Sequence, residues 1–369
     1  MPHISAADED WNVLLSFLPQ EWRVLAQRHG ATKGLRQDKS EEHYLRVLLM
    51  HLGCGLSMRE TVVRARQAKL ASLSDVALLK RVRKSREWLF QLCRSLFEER
   101  NLRPAKHGAQ PLRLVDSTEI KEPGQTGSLW RIHYSLQWPS WKCDYFKVTP
   151  LEGVGTGEHL QQFPLQPGDQ LLADRGYSHA SGVHYVSRRK AFITVRFKPH
   201  TLPVQDQEQK TFPVLKHLKS IRKTGQTAVW KVLVPWQDQK PIAARLCVIR
   251  RSRAAIALAH KRLRRRASKT GSQLQPETLI YAEYVMVLTT LPASSYSGEA
   301  VLQLYRFRWQ IELVFKRFKQ IAQLGHLPKH DPESAQAWLY GKLFVALLTE
   351  KLIQEARALS PWGYALEAP

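Results

Sequence analysis

The sequence predicts an α/β fold, and three patterns carry that prediction. Apolar residues recur at helical spacing from residue 1 to about 105 and again from Gly298 onward. Between these helical parts lie short apolar runs of strand character, two of which end in an acid, Asp116 and Asp174. A further stretch, from about 190 to 290, is rich in β-branched and aromatic residues.

The 369 residues are 43% hydrophobic, enough for two or three globular domains, each with its own core. The net charge of +24 calls for a polyanionic partner, because like charges otherwise repel across the folded surface. Nucleic acid is the first candidate, since lysine and arginine release counterions condensed on phosphates. An anionic membrane is the second, and it fares poorly. The longest apolar stretches, such as Leu343 to Leu348, fall far short of the roughly 20 residues of a membrane-spanning helix. The start Met1-Pro2-His3-Ile4-Ser5 lacks the basic and apolar regions of a signal peptide. Cys54, Cys93, Cys143 and Cys247 form no CxxC pair, so a structural zinc site is disfavoured and the expectation is buried, reduced thiols in a cytoplasmic protein.

In the N-terminal part, Ser40 precedes a periodic stretch with Tyr44, Leu45, Leu48, Leu49 and Leu52, which Gly53 and Gly55 end, where positive φ is affordable. Ser57-Met58-Arg59-Glu60 has capping-box spacing. Further helices open near Ser74-Asp75 and near Ser85. Arg59, Arg64, Arg81 and Arg83 belong to a basic stretch that only Glu60 and Asp75 oppose, which suits either a DNA-docking helical face or a solvated one.

After Pro104 the character changes. Pro111 to Asp116 and Gly168 to Asp174 are apolar strands ending in aspartate, with Trp130 to Trp138 and Cys143 to Val148 as strands between them. Arg175-Gly176-Tyr177 turns the chain, and Ala180 to Ser187 suits a helix. In the β-rich block, Ala191 to Phe197, Thr227 to Val234, Ala243 to Ile249 and Tyr284 to Thr289 read as strands. Within that block Arg250 to Lys269 is intensely basic and free of acids, with Arg264 and Arg265 at its centre; it is either a helix held against phosphates or a solvated loop. From Gly298 one helix is expected to about Leu324 and another from about Pro332 to Leu359.

Paired acids above a sheet can hold hard divalent cations, although one such acid is often only a cap or turn residue. A third acid, Glu312, shares a helical face with Tyr305, Arg308, Lys316 and Lys319, whose spacings are near whole helical turns. By itself this could be an amphipathic helix with Arg308–Glu312 and Glu312–Lys316 surface pairs, worth about a few tenths of a kcal/mol each. Trp130, Trp138 and Trp141 are candidates for base stacking, with core packing the plainer reading. Tyr284 is a stacking candidate with the same plainer reading, and His133 and His179, near the acidic motifs, could position DNA, with a structural role the plainer reading. No Ser–His–Asp arrangement, phosphate-cradling loop or nucleotide fingerprint is visible, so no nucleotide cofactor is expected.

The pattern Tyr305-x2-Arg308-x3-Glu312-x6-Lys319 resembles the YREK signature of the bacterial insertion-sequence-four family of DDE transposases. Asp116-Ser117-Thr118 is similar to the family's first acidic motif and Ala173-Asp174-Arg175-Gly176-Tyr177 to its second, and Tyr340-Gly341-Lys342-Leu343 is similar too. The resemblance runs from about Leu112 to Leu348. It implies a ribonuclease H-like catalytic domain carrying a β-rich insertion and preceded by a helical DNA-binding domain. The implied division is 1–107 for the DNA-binding domain, 108–189 and 291–345 for the catalytic domain, 190–290 for the insertion and 346–369 for a C-terminal helix and tail.

Asp116, Asp174 and Glu312 would be catalytic and would hold two Mg²⁺ or Mn²⁺ ions for in-line phosphoryl transfer on DNA. Tyr305, Arg308, Lys316, Lys319 and Arg175 would contact DNA near the cleaved end, with Arg59, Arg64, Arg81, Arg83, Arg264 and Arg265 as outer contacts. The partners implied are double-stranded transposon ends and target DNA, bound by a homodimer, in a bacterial cytoplasm. A hairpin at the transposon end is an expectation of the same resemblance. A domesticated DNA-binding protein and a metal-dependent nuclease are the alternatives.

Overall fold

The computed structural model describes residues 6–34, 40–101, 112–121, 128–138, 142–309, 327 and 331–358. Its helical N-terminal part holds α1 (Ala6–Ser16), α2 (Trp22–Arg28), α3 (Glu41–Leu52), α4 (Met58–Gln67), α5 (Asp75–Lys84) and α6 (Arg86–Asn101). Serine starts three of these helices. Ser40, Ser57 and Ser74 accept hydrogen bonds from the amides of His43, Glu60 and Ala77 at 3.2, 3.1 and 3.2 Å, satisfying donors that the first helical turn leaves unpaired. The reciprocal half of the expected capping box is replaced: the Glu60 carboxylate takes Arg64 at 2.7 Å. Of the two glycines after α3, only Gly55 has positive φ (69°), whereas Gly53 stays right-handed at −80°.

The strands are β1 (Leu112–Lys121), β2 (Ser128–Trp138), β3 (Lys142–Pro150), β4 (Gln170–Ala173), β5 (Phe192–Arg196), β6 (Thr227–Trp236), β7 (Gln239–Arg250) and β8 (Tyr284–Thr289). They form a single eight-stranded sheet in the order β3-β2-β1-β4-β5-β8-β7-β6. β1, β2 and β3 make an antiparallel meander, β4 and β5 run parallel to β1, and β8 returns antiparallel to β5. The β-rich block thus extends the central sheet. β8 pairs with β5 on one side and β7 on the other, and the β6–β7 hairpin adds the outer edge.

Alternation along the strands separates two cores. Leu114, Ile132, Tyr134, Leu136 and Leu172 pack toward the N-terminal helices, α11 (Gly298–Arg306) and α12 (Pro332–Ala358). Val115, Leu171, Ala173, Ile193 and Val195 pack toward α7 (Ala180–Arg188) on the other face. Short helices α8 (Val214–Leu218) and α10 (Pro276–Ala282) and the long α9 (Arg253–Thr270) complete the described chain. α12 is woven into the N-terminal bundle, where Cys93 donates to the Tyr340 carbonyl and Arg83 pairs with Asp331 at 2.9 Å. The N-terminal helices therefore share one apolar core with the C-terminal helix. Cys54 is exposed, against the expectation of four buried thiols; Cys93, Cys143 and Cys247 are buried. None of the described helices is long and apolar enough to cross a membrane.

Candidate active site

The two aspartates meet because their strands are parallel neighbours in register. Val115 of β1 pairs with Ala173 of β4, so the next residues, Asp116 and Asp174, lie side by side; β4 ends before Asp174 as expected, but β1 does not end at Asp116 and runs on to Lys121 because it stays paired with β2. Ser117 donates its amide to Asp116 Oδ1 at 2.8 Å. Burial, with the charges of Asp174 and Glu158, pushes the Asp116 carboxyl up to about 7 against the opposing pull of the Ser117 amide and Arg308.

Arg308 and Tyr305 close over the pair from α11 and the turn after it. Arg308 Nη1 lies 3.8 Å from Asp116 Oδ2 and 3.6 Å from Asp174 Oδ2. The Tyr305 hydroxyl donates to Asp174 Oδ1 at 3.5 Å. Tyr305 is buried, and burial together with Asp174 pushes its hydroxyl pKa well above the usual range. Both side chains face the aspartates, as expected from their shared helical face. The long helix expected from Gly298 does not run unbroken, however: α11 ends at Arg306, and Phe307–Trp309 form a 3₁₀ turn with Phe307 packed 4.7 Å from the Trp138 ring. Glu312, Lys316 and Lys319 lie outside the described residues.

A third acid reaches this end of the sheet without having been singled out. Glu158, in the loop after β3, accepts from the Ser117 hydroxyl at 2.9 Å. Its carboxylate packs against Gly176, where a Cβ would collide with it. This contact gives the glycine of Arg175-Gly176-Tyr177 a reason beyond turn flexibility. No strand ends at Glu158, so strand context does not reveal it; the available signal was an acid flanked by Gly157 and His159 in a glycine-rich loop. The His159 ring lies 5.6 Å from that of His179.

Among the described residues no group of three or more His, Cys, Asp and Glu side chains is arranged to hold a metal ion. The donors present nonetheless suit a hard divalent cation: two carboxylates converge, and their mutual repulsion, which helps raise the Asp116 pKa, is relieved by positive charge, which Arg308 supplies here.

The other expected site residues are dispersed. Arg175 is exposed in the 3₁₀ turn directly after Asp174. Arg264 and Arg265 are exposed on α9, which Ser252 caps and which buries none of its residues. Arg59 is 91% exposed and 3.8 Å from Asp75, while Arg64 is paired with Glu60. Arg81 donates to the Gly34 carbonyl and sits over the Tyr44 ring, and Arg83 holds Asp331. Trp130 is buried, Trp138 packs at a tilt against Phe307, and Trp141 lies outside the described residues. His133 is fully buried against Thr149, and burial drives its pKa down to about 4, which keeps it neutral. Tyr284 donates to the Leu218 and Ile221 carbonyls from within the core.

Fold and site define an α/β protein that gathers carboxylates at one end of a large mixed sheet on a strongly basic chain. The family described as "Transposase DDE domain" matches residues 152–348. The chain is 30% identical over 362 residues to the putative transposase InsL for insertion sequence element IS186A of Escherichia coli (strain K12), covering 96% of each chain. It is 30% identical over 363 residues to the transposase for insertion sequence element IS421 of Escherichia coli, again covering 96% of each. The chain belongs to the DDE transposase family. A solved structure of the piggyBac transposase synaptic complex with hairpin DNA is similar at a TM-score of 0.46 and 11% identity, covering 96% of this chain and 75% of that one.

Proposed function

We propose that the chain is the transposase of an insertion sequence, that it binds the terminal inverted repeats, and that it carries out divalent-metal-dependent cleavage and strand transfer on DNA. The observation that carries this reading is the convergence of Asp116 and Asp174 from adjacent parallel strands under Arg308. The order β3-β2-β1-β4-β5, an antiparallel meander followed by two parallel strands, supports a ribonuclease H-like catalytic core. On this reading 108–189 and 291–345 make up that core together with β5, which the division by sequence had counted in the insertion at 190–290; the rest of 190–290 widens the sheet, 1–107 with 346–369 form the helical part, and a homodimer assembles on paired ends.

Asp116 and Asp174, with Glu312 as third ligand, would hold Mg²⁺ or Mn²⁺. Bound there, two such ions supply Lewis-acid activation of the attacking water or 3′-hydroxyl and stabilise the leaving oxygen. The protein orients the carboxylates: the Ser117 amide fixes one Asp116 oxygen, and the Tyr305 hydroxyl holds Asp174. Arg308, which lies against the two aspartates, would take a phosphate oxygen of the scissile strand once cations neutralise them. Arg175, Lys316 and Lys319 would fix the flanking phosphates, with Arg59, Arg64, Arg81, Arg83, Arg264 and Arg265 as outer contacts.

The test is cleavage of DNA carrying the element's ends in Mg²⁺ or Mn²⁺. Wild type should nick at the ends, and Asp116→Ala, Asp174→Ala and Glu312→Ala should each abolish nicking while leaving DNA binding intact. Nicking at the wild-type level in all three variants would overturn the assignment.

A further inference from the structure

The sheet that brings the aspartates together also collects arginines at the same end. β7 runs parallel to β5, because both are antiparallel to β8, so the C-terminal ends of β4, β5 and β7 lie together, beside the middle of β1. In sheet order this level carries Asp116 within β1, then Asp174 with Arg175 just past β4, then Arg196 as the last residue of β5. Arg251 follows β7, where its amide bonds to the Glu283 carbonyl at 2.9 Å. Two residues later α9 begins, carrying Arg262.

Four guanidinium groups therefore follow one another away from the carboxylates. Arg251 senses both Arg175 and Arg262, and Arg196 senses Arg251, Arg175 and Asp174. The neighbouring Arg250 is neutralised by Glu283 at 2.8 Å. Among the described residues no carboxylate makes an ion pair with Arg175, Arg196, Arg251 or Arg262. Among the described residues Arg196 reaches only the Tyr284 carbonyl, at 3.4 Å, and the buried Nε of Arg251 has no hydrogen-bond partner. Closely spaced cations without counter-charges repel one another and are stabilised by an anion that spans them.

We propose that Arg175, Arg196, Arg251 and Arg262 form a phosphate track. It would carry one DNA strand from the catalytic aspartates across the ends of β5 and β7 onto the exposed basic face of α9. The occupant is a DNA backbone, because the cations form a succession that starts at the carboxylates where the strand is cut, and because no acid interrupts Arg250 to Lys269. The inference rests on the proposed function and adds the path of the strand, with Arg196, Arg251 and Arg262 as contacts.

The experiment measures binding to a labelled duplex of arbitrary sequence as a function of salt, since backbone contacts are independent of sequence. Arg262→Gln and Arg251→Gln should each lower the slope of log K against log salt by about 0.9, and the double variant by about 1.8. Arg262 is exposed, so its substitution isolates charge from folding. Arg188→Gln is the control: α7 runs from the end of β4 back to the start of β5, which places this exposed arginine toward the opposite end of the sheet. It should leave the slope unchanged. A double variant with the wild-type slope, or an equal fall in Arg188→Gln, overturns the track. If end cleavage still depends on the aspartates, that result removes the track alone. If wild type binds no duplex, both readings fail.

Discussion

Arg308 Nη1 lies 3.6 Å from Asp174 Oδ2, and the same nitrogen lies 3.8 Å from Asp116 Oδ2. One guanidinium thus lies against both carboxylates, and for Asp116 it opposes the upward push of burial and of the Asp174 charge. Arg308→Gln should therefore move the pH at which divalent ions bind upward, since the cation that lowers the Asp116 pKa is gone. It should also reduce end cleavage by about 10² if Arg308 stabilises transition-state charge. Isothermal titration with Mn²⁺ across pH reads the first effect, and a variant with the wild-type binding profile would contradict it.

Asp116 itself sets a second pH effect. Its folded-state pKa of about 7 is raised above the ordinary 3.8, so without metal the folded protein keeps a proton that the unfolded chain loses. Folding stability from this group is present at about pH 4 and declines as pH rises through about 7. Divalent cations should reverse the trend, because binding requires the carboxylate and expels the proton. Urea unfolding at several pH values, with and without Mg²⁺, checks the sign. Asp116→Asn should remove the metal-free slope.

Gly176→Ala tests the role of Glu158. A Cβ at residue 176 would collide with the Glu158 carboxylate, so either the loop after β3 or the turn after Asp174 must move. Cleavage should fall by at least about tenfold, since small displacements near the reacting groups cost rate steeply. Glu158→Gln keeps the shape and removes the charge, and should lower the Asp116 pKa. If Gly176→Ala cleaves normally, the contact has no functional weight.

Lys342 on α12 is fully buried, its ammonium 4.6 Å from the Trp338 ring centroid and without a hydrogen-bond acceptor among the described residues. Burial lowers its pKa to about 8. The folded state then releases its proton before the unfolded chain does, so stability from this group rises as pH climbs from about 8 toward the usual lysine value of about 10.4. Lys342→Met, which keeps the stem and drops the charge, should be more stable than wild type at neutral pH and should lose this rise. Thermal denaturation at pH 7 and above pH 9 distinguishes the two proteins.

Particular residues show how much could be read beforehand. The strand ending before Asp174 was legible because a short apolar run closed by an acid has local causes, whereas the continuation of β1 past Asp116 to Lys121 was not, because it depends on pairing with β2. The serine caps of α3, α4 and α5 were legible for the same reason, since a cap acts within one helical turn. The break after Arg306 was not legible, because Phe307 packs on Trp138, and that contact joins residues far apart in sequence. The β-rich block gave its strands but not their attachment: pairing between β5 and β8 is set by register across an interval of about a hundred residues.

By itself the sequence determined most of the elements, the strong positive charge, and the choice of Asp116, Asp174, Tyr305 and Arg308 as site candidates, because periodicity, charge and spacing are properties of the chain. Only the tertiary structure decided that β1 and β4 pair in the register that sets Asp116 beside Asp174, that Glu158 joins them through Ser117, and that α12 closes the N-terminal bundle. It likewise placed Arg196 and Arg251 at the catalytic end of the sheet. These juxtapositions depend on strand order and packing between distant segments, which no local pattern encodes.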